Sequence, residues 1–236
     1  IAEGKKFIPF RIITPDVSEH LFRAEGKGSF QIMSVRLAGK MPEIDHCDQL
    51  VNAHVLSIEA KLSGAQLKLP WNLPTFEDLT GQLLFLKGHL YLKEVEGKIF
   101  HSTLEKVNGA FYELLHIPTL QMDCQGKFDL TDLPSLLKTE GFPEEYNRAL
   151  SPINILSGKA NYSLSAKGLL RPPIRFQHQG IYRLSKTRIT HQQIPFPIQI
   201  GEGQVELSHN DLQWSEVKAE VGNSSLLING FWKHGE

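Results

Sequence analysis

The densest gathering of ligand-type side chains is one loop, Glu43, Asp45, His46, Cys47 and Asp48. Carboxylates, imidazole and thiolate are the groups that hold divalent metals. The set is mixed, and no second His/Cys pair stands at a zinc-like spacing, so the loop reads as solvated and no metal is assigned. His178 falls in an otherwise apolar alternating series, where a rim or hydrogen-bonded histidine is expected rather than a general base. Gly201-Glu202-Gly203 is a turn and not a phosphate loop, because no helix follows it. Cys47 and Cys124 are too few for a disulfide scaffold. A single bridge and two unpaired thiols both remain open. Asn161-Tyr162-Ser163 and Asn223-Ser224-Ser225 fit the glycosylation pattern, which short sequences often match by chance. No Ser/His/Asp or Cys/His arrangement stands out. The expectation is a protein that is no enzyme and needs no cofactor.

The elements that would carry any function are short strands. Gly203 to Trp232 reads as three in succession: Val205 and Leu207, then Leu212 and Trp214 across the turn His209-Asn210-Asp211, then Val217, Ala219 and Val221, with Leu226 and Ile228 running into Asn229-Gly230. Period-two alternation bounded by Gly, Asn, Asp and Ser means half-buried antiparallel strands. The same pattern appears earlier, from Gly81 to Phe111. Gly81-Gln82 echoes Gly203-Gln204, Leu90 echoes Leu212, Val95 echoes Val217, Ser102 echoes Ser224, and Asn108-Gly109 echoes Asn229-Gly230. One residue is gained or lost between the last two landmarks. An internal echo of a meander unit marks a repetitive β architecture.

Elsewhere, Phe7 to Ile13 and Ser29 to Ala38 read as strands, the second with a bulge where its apolar set slips. Gly39 to Asn52 is a polar loop. His54 to Leu62 alternates, with Leu56, Ile58, Ala60 and Leu62 on one face. Leu69 to Pro74 is a loop or edge segment. Leu120 to Leu130 is the cleanest strand: Leu120, Met122, Cys124, Phe128 and Leu130 face one way, with Gly126 among them, and Gln121, Asp123, Gln125, Lys127 and Asp129 the other. Thr131 to Asn154 is expected to be one broken helix, with Pro134 in its first turn, Gly141 ending it, and a second piece from Pro143 to Leu150. Ala160 to Ala166 and Ile174 to Leu184 alternate again, and Ile194-Pro195-Phe196-Pro197 leads into the second repeat. The expected organisation is a first meander unit over 1–130, a helical insert over 131–154 and a second unit over 155–236. Together they form one domain cut from a longer chain.

The 41% hydrophobic and 22% charged fractions are those of a folded chain, and with a net charge of -1 and no basic run no basic field points to nucleic acid. No apolar run is long enough for a membrane helix. The chain begins at Ile1 rather than Met, so an anchor or leader is expected to lie outside it. Scattered aromatics and 13 prolines speak against a transmembrane barrel. Each strand has one apolar face needing a cover. A second sheet, closure into a barrel, and a curled trough covered by lipid all satisfy that need, and periodicity does not separate them.

Gly81-Gln-Leu-Leu-Phe-Leu-Lys-Gly-His-Leu-Tyr-Leu-Lys-Glu-Val-Glu-Gly, Ser102-Thr-Leu, Asn108-Gly109 and Leu120 to Leu137 resemble the AsmA-like family of bacterial envelope proteins. Gly158 to Gly168, Phe176 to Leu184, Ile200 to Leu207 and Val221 to Leu226 are similar to its long YhdP-type and TamB-type members. The resemblance covers roughly Ser29 onward. It implies a mainly β fold in which repeated antiparallel meander units form a long, curled, taco-like sheet with an apolar groove. It also implies a periplasmic location, with an inner-membrane anchor outside this sequence. The implied function is conduction of phospholipid between inner and outer membranes, in outer-membrane biogenesis. Phospholipids, both membranes and other envelope proteins are the implied partners. The functional surface would be the groove lining: Leu84, Leu86, Leu90, Leu92, Leu120, Met122, Phe128, Tyr162, Leu164, Phe176, Val205 and Leu207. The alternative is a non-enzymatic scaffold or assembly module with a closed core.

Overall fold

The computed structural model describes residues 25–47, 49–68, 74–114, 119–138, 147–148, 150–169, 175–208 and 211–233. Eleven strands follow one another in a single antiparallel meander, each bonded to its neighbours in sequence. They are β1 (Glu25–Leu37), β2 (Leu56–Lys68), β3 (Phe76–Leu86), β4 (His89–Ile99), β5 (Ser102–Tyr112), β6 (Thr119–Asp129), β7 (Ile153–Leu169), β8 (Arg175–His191), β9 (Ile194–Ser208), β10 (Asp211–Val221) and β11 (Ser224–Trp232). Among the described residues the order does not close, and β1 and β11 are its first and last strands. Among the described residues no second sheet lies on the first, so both the sandwich and the barrel are set aside. β6 pairs with β7 along its whole length, from Thr119↔Leu169 to Asp129↔Lys159. The two meander units are therefore one continuous sheet.

Register fixes the faces, because residues directly opposite one another point the same way. Ile58, Ala60 and Leu62 stand opposite Phe85, Leu83 and Gly81, and Leu83 and Phe85 stand opposite Leu92 and Leu90. Val95, Val107 and Cys124 continue the face inward. Ala65, Leu79, Val95, Val107 and Cys124 form a buried cluster along β2 to β6, flanked by Leu62, Leu67, Phe76, Leu92, Leu104 and Tyr162. Leu79 is only 7% exposed although its strand's main contacts are with the two neighbouring strands. A flat single layer would leave it wetter, so this face is concave. Full burial of such a Val or Leu contributes about 1.5–3 kcal/mol.

Bulges supply the curvature. Asp78, Glu94, Lys186 and Glu216 each take a positive φ near 50° inside strands whose register shifts there. The echoed residues build the same device twice. A Cβ on Gly81 would sit 2.8 Å from the Val95 Cα, and one on Gly203 would sit 3.0 Å from the Val217 Cα. These glycines let the bulged strand press against its neighbour. The residue gained between Ser102 and Asn108 is a further irregularity on β5 between Leu104 and Lys106, with no counterpart on β11.

Several local expectations change. The polar loop contains a short helix, Met41–Asp45, and a 3-10 turn, Leu50–Val55, which takes up the first residues expected in the strand from His54. The broken helix shrinks to a 3-10 turn at Leu130–Asp132 followed by Leu133–Leu136. Its second piece falls mostly outside the described residues, as do Phe7 to Ile13 and residues 69–73 of the expected loop. The proline-rich lead-in is itself the start of β9. β10 reaches β9 only from Ile198 onward. Pro195 and Pro197 thus sit where one side of the strand has no neighbour and a missing N–H is tolerated.

Candidate functional site: a continuous apolar face

The concave face is built in rows that cross the sheet. One row runs Phe85, Leu90, Phe111, Leu120 and Gly168. The next runs Ala60, Leu83, Leu92, Gly109, Met122, Ala166 and His178. Cys124, Leu164, Gly180, Leu207, Leu212 and Trp232 extend the row of Val95 and Val107. Gly126, Tyr162, Tyr182, Val205 and Trp214 make another. No residue in these rows is charged. Small residues are buried at the bottom of the curve, while the large side chains stay partly open.

Leu90, Leu92, Leu120, Met122, Phe128, Tyr162, Leu164, Val205 and Leu207 share this face and are half-buried. Phe176 enters β8 opposite Gly168, and its side chain lies outside the described set. Leu84 and Leu86 are corrected: they point the other way, opposite Tyr91 and His89. Leu83 and Phe85 take their place. In the run Leu83-Leu84-Phe85-Leu86 alternation disappears, because the opposite face is also apolar there. His89, Tyr91 and Tyr112 pack edge to face with centroids 5.5–6.3 Å apart, beside the buried Ala110. The tight Lys87-Gly88 turn held the missing signal. Hairpin register sets Leu90 against Phe85 and Leu92 against Leu83.

The middle of the face carries a polar anchor. Tyr162 OH donates to the Thr103 carbonyl at 3.2 Å and lies 3.4 Å from Cys124 Sγ. Burial pushes both the phenol and the thiol up from their ordinary values, so both stay neutral. Tyr162 stacks on Tyr182 at 6.0 Å, and Phe128 meets Tyr182 edge-on at 6.4 Å. Away from the aromatic patch of His89, Tyr91 and Tyr112 the convex side is wet. It carries exposed ion pairs: Lys98–Asp78 and Lys127–Glu105, each at 2.8 Å, line a depression of about 410 Å³, and Lys218–Glu202 lies farther along the sheet, between β9 and β10. The Lys218 ammonium holds the Glu202 carboxyl below its usual range.

Sequence reading missed one Ser/His/Asp grouping. Asp132, 3% exposed, accepts from the His101 N–H at 3.0 Å and from Ser102 Oγ at 2.6 Å, with His101 Nδ1 at 2.8 Å. Ser102 Oγ in turn accepts from the Asp129 N–H at 3.0 Å. The hydroxyl is bonded to the carboxylate rather than the imidazole, and it is buried. This is a clasp between the β4–β5 turn and the segment after β6, not a nucleophile–base pair. Among the described residues no group of three His, Cys, Asp or Glu gathers as a metal site, and Cys47 and Cys124 are unpaired. No described helix is long and apolar enough to cross a membrane. No family model, curated protein or solved structure matches the chain.

Proposed function

We propose that the concave face binds phospholipid acyl chains, and that the chain is a segment of an AsmA-like, periplasm-spanning protein that passes lipid between the inner and outer membranes. One observation carries this: a continuous uncharged face crosses the sheet with its large side chains half open and, among the described residues, no second layer over it. Each buried methylene gains ~0.8 kcal/mol. The gain is spread over equivalent rows, so a chain slides with little net change per step while its headgroup stays in water. The resemblance noted in the sequence points the same way.

The test is native mass spectrometry of the purified protein, followed by solvent extraction and lipid identification. Bound phospholipid is expected, and Leu120→Asp with Phe128→Asp should remove it while leaving the circular dichroism of the sheet intact. A protein that stays empty after incubation with liposomes overturns the reading.

A further inference from the structure

We infer that Leu130–Leu137 is a displaceable strap. It lies on the rim of the concave face formed by the β4–β5, β6–β7 and β8–β9 turns, where it competes with an acyl chain for one floor. The competition rests on the lipid reading above; the lifting of the strap does not.

The floor at this rim continues the face already described. Beyond Tyr162 and Tyr182 comes a row of Phe128, Ala160, Leu184 and Gly203. Lys186 is the bulged residue that follows, so Thr187 returns to the concave side, opposite Ile200, which stands opposite Ala219. Ile155, Ile189, Ile198 and Val221 make the last row. No residue in these rows is charged. The floor is unevenly covered: Ala160 and Thr187 are 1% and 4% exposed, while Ile155, Ile189 and Ile198 are half-buried. Leu130 supplies part of the cover. A Cβ on Gly158 would sit 2.9 Å from Leu130 Cδ1 and 2.6 Å from Thr187 Oγ1, so both side chains press on the bare backbone of Gly158.

The strap is greasy beneath and wet above. Leu130, Leu133 and Leu137 recur at helical spacing and are buried or half-buried, while Thr131, Pro134, Ser135 and Lys138 are exposed. One 3-10 turn and four helical residues are too short to hold their shape alone. A polar latch pins them to the sheet: the Asp132 carboxylate bonded to His101 and Ser102. Ser102 faces the concave side, because it stands opposite Ile99 and Ile99 stands opposite Phe76 of the apolar cluster. At its start the strap leaves β6 through a turn in which Asp129 Oδ1 accepts the Thr131 N–H at 3.1 Å. A short segment held by one latch and a few leucines lifts at a lower free energy than the paired strands beneath it. An acyl chain offers the floor the same methylene contacts as those leucines, so lipid replaces the strap without leaving the floor wet.

The first test needs no lipid. In a Cys47→Ser background, Thr187→Cys reports on the floor beneath the strap, and Cys124 is a control within the sheet. With Asp132 in place a maleimide should label both slowly. Asp132→Ala should speed labelling at position 187 at least tenfold and leave Cys124 protected. Equal rates with and without Asp132, or Cys124 opening in step with the reporter, overturn the strap. The second test pins it. Ser102→Cys with Asp132→Cys, in a Cys47→Ser, Cys124→Ala background, joins strap to sheet where the native side chains lie 2.6 Å apart. Uptake of a fluorescent phosphatidylcholine from liposomes should be several-fold lower in the oxidised form and recover with dithiothreitol. Equal uptake in the two forms overturns the competition. If the wild type also takes up none, the lipid reading fails and the competition with it, while the labelling still decides whether the strap lifts.

Discussion

Asn229 holds the backbone of Glu216 from the neighbouring strand: its Oδ1 accepts the Glu216 N–H at 2.7 Å. Asn108 does the same for Glu94 at 2.9 Å. Glu216 and Glu94 sit at φ 52 and 48, a backbone region in which a non-glycine residue is strained by about 1 kcal/mol or more. The bulge frees an N–H from the ladder, and the asparagine of the next strand takes it. Asn229→Ala should therefore destabilise the sheet by about 1 kcal/mol in urea unfolding. Glu216→Gly, which removes the strain, should recover part of that loss in the double variant. An unchanged midpoint for Asn229→Ala would show that water replaces the asparagine without loss.

Gly126 is the space through which Tyr162 reaches β5. A Cβ there would lie 2.0 Å from the Thr103 carbonyl oxygen and 2.9 Å from Tyr162 OH. Gly126→Ala should cost about 2–3 kcal/mol, as an overpacked core substitution does. Tyr162→Phe removes only the hydrogen bond and should cost about 1 kcal/mol. The ordering of the two midpoints in a denaturant series is the check.

The His101–Asp132 contact sets a pH dependence with a definite sign. The hydrogen bond and charge of Asp132 raise the His101 imidazole above its ordinary value. A group whose folded value is raised stabilises fully below its unfolded value of about 6.5. That contribution is lost as pH rises through the higher folded value. Wild type should therefore exceed His101→Asn in Tm at pH 5.5, and the gap should shrink above neutrality. His101 is exposed, so added salt should narrow the gap at low pH as well. A gap that grows with pH would refute the assignment.

The alternation of β2, β6, β7 and β10 was legible because each has one wet and one greasy face, and a period of two reports that directly. The echo between Gly81–Phe111 and Gly203–Trp232 was legible because the bulge needs particular residues: a glycine beneath a valine, and an asparagine one strand on. Single-layer architecture was not legible, since an apolar face has the same pattern whether lipid, a second sheet or a barrel interior covers it. Leu84 and Leu86 went to the wrong face because both sides of the sheet are apolar between β3 and β5. The clasp at Asp132 was hidden because its partners are 30 and 31 residues away and meet only once β4, β5 and β6 are paired.

The two cysteines should differ in reactivity. Cys47 is partly exposed and Cys124 buried, and they form no bridge. Burial raises the Cys124 thiol, which lowers its thiolate fraction and closes access to it. A maleimide reagent at pH 7.5 should label Cys47 first and Cys124 only on unfolding, with intact-mass analysis showing two free thiols. Fast labelling of Cys124 in the native protein would mean that the concave face opens far more widely than the burial of Cys124 implies.

Leu83 and Leu84 are adjacent, both half-buried and of equal size, and they differ in the face they occupy. Leu83 stands opposite Ala60 and Leu92 on the concave side. Leu84 stands opposite Glu59 and Tyr91 on the convex side. A carboxylate at either position meets partial solvent, so both Leu83→Asp and Leu84→Asp should cost similar stability, about 1–2 kcal/mol. Their effect on lipid should diverge. Leu83→Asp sets a charge in the row an acyl chain must cross and should reduce co-purified phospholipid several-fold. Leu84→Asp should leave it unchanged, with Tyr91→Asp as a second convex-side control. Equal losses at both positions would show that lipid retention tracks stability rather than the concave face, and the lipid-binding assignment of that face would fall.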